Sequence, residues 1–246
     1  MPAAPMTTTT SNSARERLIA ALDVSTAAEA RSIVSELTGI VGAFKVGLQL
    51  FSAEGPSLVR ELVGSGQRVF LDLKFHDIPN TVAMASAEAA KLGVWMFNVH
   101  ASGGVEMMSH ALRSATDAAE KASISRPLIT AVTVLTSDEG DRISEMVTER
   151  TWAAKQAGLD GVVASAREAA MIRQTGALAD MTIVTPGIRP LSGTNDDQKR
   201  VMSPGAAILA GADHIVVGRP ILNAEDRAGA ASAIVAEIEQ ALEADI

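Results

Sequence analysis

The sequence predicts an α/β protein folded as a single-domain (β/α)8 barrel of the TIM type, and three observations carry that expectation. Eight short β-branched runs alternate with longer Ala/Glu-rich amphipathic stretches, the pattern of parallel strands joined by right-handed helical crossovers. The chain has 246 residues, and such barrels reach about 250 residues around one core. An open doubly wound sheet would carry GxGxxG after its first strand, whereas LDVSTAAEA at 22–30 contains no glycine.

The elements follow in order. LIAALDV (18–24) is the first strand, and Thr26 can cap the helix after it. GAFKVG (42–47), RVFLDLK (68–74) and WMFNVH (95–100) follow as strands, each succeeded by a helical segment. Behind Pro79, Asn80 and Thr81 can start the helix after the third strand. PLITAVTVL (127–135), GVVAS (161–165), MTIVTPG (181–187) and HIVVGR (214–219) complete the eight. Residues 1–13, MPAAPMTTTTSNS, read as a disordered tail, because small polar residues bury too little surface to offset their ordering entropy. Residues 14–246 form the barrel domain, with no linker or strong repeat inside it.

Composition narrows the function. Hydrophobic residues make up 47% and charged residues 20%, which suits a globular core. A net charge of -8 argues against a nucleic-acid surface, which needs a concentrated basic stripe. With no cysteine, disulfides, thiolate metal sites and cysteine nucleophiles are excluded. No apolar run reaches the ~18 residues that span a bilayer, and the N-terminus lacks a signal-peptide layout, so the expected compartment is the cytoplasm. His76, His100, His110 and His214 form no HExxH or similar metal spacing, and no GxSxG elbow is present. His76 and His100 read as loop or supporting residues, and His110 as helix surface.

Polar residues gather at the strand ends: Asp23, Lys45, Asp72, Lys74, Asn98, His100, Thr136, Arg189, Gly218 and Arg219. In barrels that rim carries the active site. LDLKFHDIPNTV (71–82) holds Asp72, Lys74 and Asp77 within six positions. Two apart on a strand, Asp72 and Lys74 face the same way. If they face the barrel interior, they are buried side by side, and Lys45 adds a second ammonium. The plain alternative is an ion-pair network that only closes the barrel mouth. GADHIVVGRP (211–220) runs from a strand into a helix start, so amides around Gly218 and the Arg219 guanidinium can hold an anion. TPGIRPLSGTNDDQKRVMSPG (185–205) has the length and polarity of an active-site lid.

LDLKFHDIPNTV resembles the signature of the orotidine 5'-monophosphate decarboxylases, and the similarity runs from ALDV through FKVG, VTVLTS and TPGIRP to VVGRPI. The resemblance implies loss of CO2 from orotidine 5'-monophosphate to give uridine 5'-monophosphate, the last step of pyrimidine nucleotide synthesis, with no cofactor and no metal. It assigns ribose contacts to Asp23, Lys45 and Thr81, and the pyrimidine edge to Thr136. Arg189, Gln198, Gly218 and Arg219 would hold the phosphate. Lys45, Asp72, Lys74 and Asp77 would form an alternating charged array with Lys74 as proton donor, and Asp77 would reach the partner's site in a homodimer with shared active sites.

Two other readings fit parts of this pattern. Metal-dependent sugar-phosphate decarboxylases or synthases of the same superfamily share a similar DxKxxD strand, but use an acidic metal ligand where this chain has Lys45. A non-catalytic phosphate-binding barrel would keep the charges for structure alone.

Overall fold

The computed structural model describes residues 13–134, 142–189 and 202–244. The β-branched runs become eight strands: β1 (Leu18–Ala21), β2 (Ala43–Gly47), β3 (Val69–Phe75), β4 (Met96–His100), β5 (Leu128–Val132), β6 (Gly161–Val163), β7 (Thr182–Thr185) and β8 (His214–Val217). Every strand runs parallel to its neighbours in the order β1 to β8. Pairing of Leu18 with Ile215 and Ala20 with Val217 closes the barrel, as the sequence predicts. Most ladders are shorter than their runs. Asp23 therefore lies beyond the last paired residue of β1, where the chain is free to turn over the rim.

Alternation along the strands sorts the apolar side chains into two layers. Ile19, Ala21, Phe70, Met96, Val132 and Val184 pack inside the barrel. Leu18, Phe44, Leu71, Phe97 and Ile129 face the surrounding helices in the larger cluster. Near the start of β4, Trp95 meets His214 edge-on at 5.1 Å between ring centroids, and the Arg68 guanidinium stacks on the indole at 3.9 Å. His214 Nδ1 lies 3.1 Å from the Glu16 carbonyl. These groups cover the end of the barrel where strands begin, leaving the other end for chemistry.

Thr26 caps the helix Ala27–Leu37 as expected: its hydroxyl accepts the Glu29 N–H at 3.3 Å, and the Glu29 carboxylate accepts the Ser25 N–H in return. The helix after β3 starts at Pro79, ahead of the predicted Asn80–Thr81, with Ile78 at the N-cap and no side-chain cap bond. Proline suits that first position because its missing N–H would have no helical partner there. β6 and β7 approach so closely that a Cβ on Gly161 would lie 2.1 Å from the Thr182 carbonyl oxygen. His110 sits on the helix Gly104–Ala122, half-buried rather than on its open surface.

Candidate active site

The strand ends surround a cavity of about 260 Å³. Phe70, Val132, Val163 and Val216 give it an apolar floor, while Asp23, Lys45, Asp72, Lys74, Arg189 and Arg219 line its walls together with Gly218. The structure thus brings together seven of the eleven sequence-predicted site residues. Thr136 and Gln198 lie outside the described residues, as does most of the expected lid. The ends of that segment are joined: Ile188 bridges to Met202, and the Arg189 N–H donates to the Met202 carbonyl at 3.2 Å.

Four charges alternate along one wall. Lys45 Nζ lies 2.9 Å from Asp23 Oδ1 and 3.5 Å from Asp72 Oδ2, while Lys74 Nζ donates to Asp72 Oδ1 at 2.7 Å. Burial pushes the Asp72 carboxyl up, but the charges of Lys45 and Lys74, with hydrogen bonds from Lys74 and Asn98, outweigh it and hold the group below the usual carboxylate range. Asp72 is therefore a stable anion between two cations. Gly47 makes room for this arrangement, since a Cβ there would lie 2.9 Å from Lys45 Nζ and 3.5 Å from Asp23 Oδ1.

Three structural details refine the expectations. The pairing of Asp72 with Lys74 does not follow from plain alternation: the β3–β4 register shifts between Leu71 and Phe75, and Lys74 adopts a left-handed backbone with φ 51°. Lys74 is also less buried than Lys45, its side chain 39% exposed against 12%, because the irregular backbone carries it up towards the mouth. Finally, the helix beginning at Arg219 is one turn long, Arg219–Leu222, with Pro220 inside it. So short a helix has little dipole and few amides to offer, and the Arg189 and Arg219 guanidiniums stand beside it in the cavity lining.

Asp77 and Thr81 are exposed and do not line the cavity. Among the described residues Asp77 pairs with neither Lys45 nor Lys74 of its own chain; its carboxylate accepts the Ile78 N–H at 2.7 Å. His76 and His100 stack at 5.2 Å between ring centroids, with the Ser102 hydroxyl between them, consistent with a supporting place at the rim. Sequence reasoning placed Asn98 at the rim but missed its role: its amide donates to Asp72 and accepts the Lys74 N–H. The available signal was an asparagine at an inward position of β4, between Met96 below and His100 above.

This wall can grip an anionic ligand, exclude water over an apolar floor and present a fixed ammonium to a reacting atom. Among the described residues no three His, Asp or Glu side chains converge in a set able to hold a metal ion.

The profile of the family described as Orotidine 5'-phosphate decarboxylase / HUMPS matches residues 16–234. The chain is 50% identical to the orotidine 5'-phosphate decarboxylase of Syntrophotalea carbinolica over 94% of its own length and 98% of that protein. It is 45% identical to the protein of the same name from Syntrophomonas wolfei, over 92% and 99%. The crystal structure of orotidine 5'-phosphate decarboxylase from Lactobacillus acidophilus superposes with a TM-score of 0.79 at 36% identity, covering 90% of this chain and 98% of that one.

Proposed function

The chain belongs to the orotidine 5'-phosphate decarboxylase / HUMPS family, and on that premise we propose that it decarboxylates orotidine 5'-monophosphate to uridine 5'-monophosphate and CO2 without a cofactor. The observation that carries the reading is the alternating array Asp23–Lys45–Asp72–Lys74 opening on the cavity. When CO2 leaves, the electron pair stays in an sp2 orbital at C6, perpendicular to the π system, so the ring cannot delocalise it. Stabilisation has to come from a charge fixed in advance. The Lys74 ammonium, anchored by Asp72, supplies that charge and then the proton that C6 takes up. Asp72 also stands near the place of the departing carboxylate.

Arg189 and Arg219 are the proposed phosphate contacts, helped by Gly218. Nη2 of Arg189 is buried in the cavity wall and has no hydrogen-bond partner among the described residues, a donor suited to a phosphoryl oxygen. Gln198 would join them, and Thr136 would meet the pyrimidine edge. Asp23 and Lys45 are the ribose contacts. Binding the phosphate far from C6 lends remote binding energy to organising the site.

Asp77 and Thr81 act, in this proposal, on a partner's cavity in a homodimer. Their place outside their own cavity supports this, as does the apolar surface around them: Ile78 is 66% exposed and Met84 62%. A second copy that covers these side chains gains apolar burial. The cytoplasm is the proposed compartment, and no helix among the described residues is long and apolar enough to cross a membrane.

The superfamily's metal-dependent sugar-phosphate reaction is disfavoured by Lys45, whose ammonium already sits between the carboxylates of Asp23 and Asp72. The deciding experiment is turnover of orotidine 5'-monophosphate by protein dialysed against EDTA, beside calorimetry with uridine 5'-monophosphate. Metal-independent CO2 release is expected. Binding without turnover would instead leave a phosphate-binding barrel, and restoration only by Mg²⁺ would favour the metal-dependent reaction.

A further inference from the structure

Lys74 is held in an unusual way. Its φ of 51° lies in the left-handed region, where a Cβ crowds the following carbonyl and only glycine settles freely. The β3–β4 ladder breaks at the same place, so the strand pairing that fixes an ordinary residue is missing. In its stead stands one side chain. Asn98, 1% exposed on β4, accepts the Lys74 N–H with Oδ1 at 2.8 Å and donates Nδ2 to Asp72 Oδ1 at 2.7 Å. The same Asp72 oxygen accepts the Lys74 ammonium at 2.7 Å. The amide thus ties together the backbone that aims the ammonium and the carboxylate that anchors it.

We infer that Asn98 is a positioning residue for the proposed decarboxylation: it fixes Lys74 in its left-handed conformation and Asp72 in its rotamer, so that the ammonium points into the cavity before substrate arrives. The inference rests on the reaction proposed above. The two bonds leave no freedom in the orientation of the amide, because a backbone N–H can only donate and an ionised carboxylate can only accept. Leucine matches the shape but offers neither bond. Aspartate at this position supplies the donor only while protonated, and once ionised it sets a second carboxylate against Asp72.

The test uses the intact protein with orotidine 5'-monophosphate as substrate and uridine 5'-monophosphate as binding probe. For Asn98→Leu, kcat is expected to fall roughly 100-fold, the loss typical of a small misplacement of a reacting group, while uridine 5'-monophosphate affinity stays within about threefold. For Asn98→Asp, the ratio of its kcat to that of wild type should be at least about tenfold higher near pH 5 than near pH 8, because protonation restores the missing donor. A residue needed only for folding would not produce that pH dependence. If Asn98→Leu does not fold, the pH ratio of Asn98→Asp decides alone. The inference is overturned if kcat of Asn98→Leu stays near wild type, if kcat and affinity fall in proportion, or if the Asn98→Asp ratio is flat with pH. Wild type runs in parallel: its failure to turn over removes the proposed reaction and the inference together, whereas a working wild type with an indifferent Asn98 removes the inference only.

Discussion

Asp72 accepts the Lys74 ammonium and the Asn98 amide and forms an ion pair with Lys45, so each neighbour's position is set by the others. Removing Lys74 should therefore separate chemistry from binding. Lys74→Ala is expected to abolish turnover of orotidine 5'-monophosphate while uridine 5'-monophosphate still binds in calorimetry, because the interaction lost belongs to the transition state. Normal turnover by that variant would remove Lys74 as proton donor. Gly47 gives a subtler perturbation. A methyl group there would meet the Lys45 ammonium at 2.9 Å, the far end of a side chain that can be displaced without disturbing backbone. Gly47→Ala should leave the thermal midpoint nearly unchanged and lower kcat/KM by roughly tenfold or more through displacement of that ammonium. A variant that loses stability but keeps its specific activity would show that Gly47 serves packing alone.

The shortest ladder element shows what a barrel demands of its strands. β6 has three residues, and Gly161 packs against the backbone of β7 with no space for a side chain. Gly161→Ala must push two paired strands apart, with an expected loss of about 1–3 kcal/mol or more, measurable as a lower urea midpoint. An unchanged midpoint would mean that β7 yields without cost. The strands themselves were legible in the sequence because β-branched runs and Ala/Glu-rich stretches differ in period, and Thr26 was legible as a cap because a threonine stands immediately before the first Ala/Glu-rich stretch. The start of the helix at Pro79 was not, since two polar residues beside a proline offer competing caps. Asp23, Lys45, Asp72 and Lys74 could be found by their place at strand ends. The irregular backbone at Lys74 escaped notice because nothing local requires it: it depends on Asn98, 24 positions away. Asp77 and Thr81 could be assigned only by resemblance, as their own chain's cavity does not include them.

At the scale of the molecule, the barrel has a covered end and a working end. At the covered end, burial lowers the basicity of His214, with smaller opposing contributions from Asp213 and the Glu16 carbonyl. A histidine depressed in this way has no effect on stability above its ordinary value near pH 6.5, where folded and unfolded chains are both neutral. Below that value the unfolded chain takes up a proton that the folded chain resists, so stability falls until the folded pKa is passed. Asp72, also depressed, adds a loss at lower pH, below about 4. The urea midpoint of wild type should therefore drop as the pH falls below about 6.5, and His214→Gln should flatten that slope even if it lowers the midpoint overall; equal slopes would place the acid sensitivity elsewhere. At the working end, the shared-site proposal gives a quantitative expectation. Lys74→Ala and Asp77→Ala homodimers should each be severely impaired, yet unfolding and refolding them together should restore roughly one quarter of wild-type activity, because about half the dimers are mixed and each has one complete site of two. No recovery in verified mixed dimers would return Asp77 to its own chain's site. The closure of β1 on β8 also bears on how the molecule is made. During synthesis the first strand must wait for the last, and a ribosome-bound chain stopped before His214 has seven strands at most and two open edges ready to pair with a stranger. Asp23 and Arg219 come to line one cavity only when that seam shuts, so a growing polypeptide cannot assemble the site until its eighth strand has emerged.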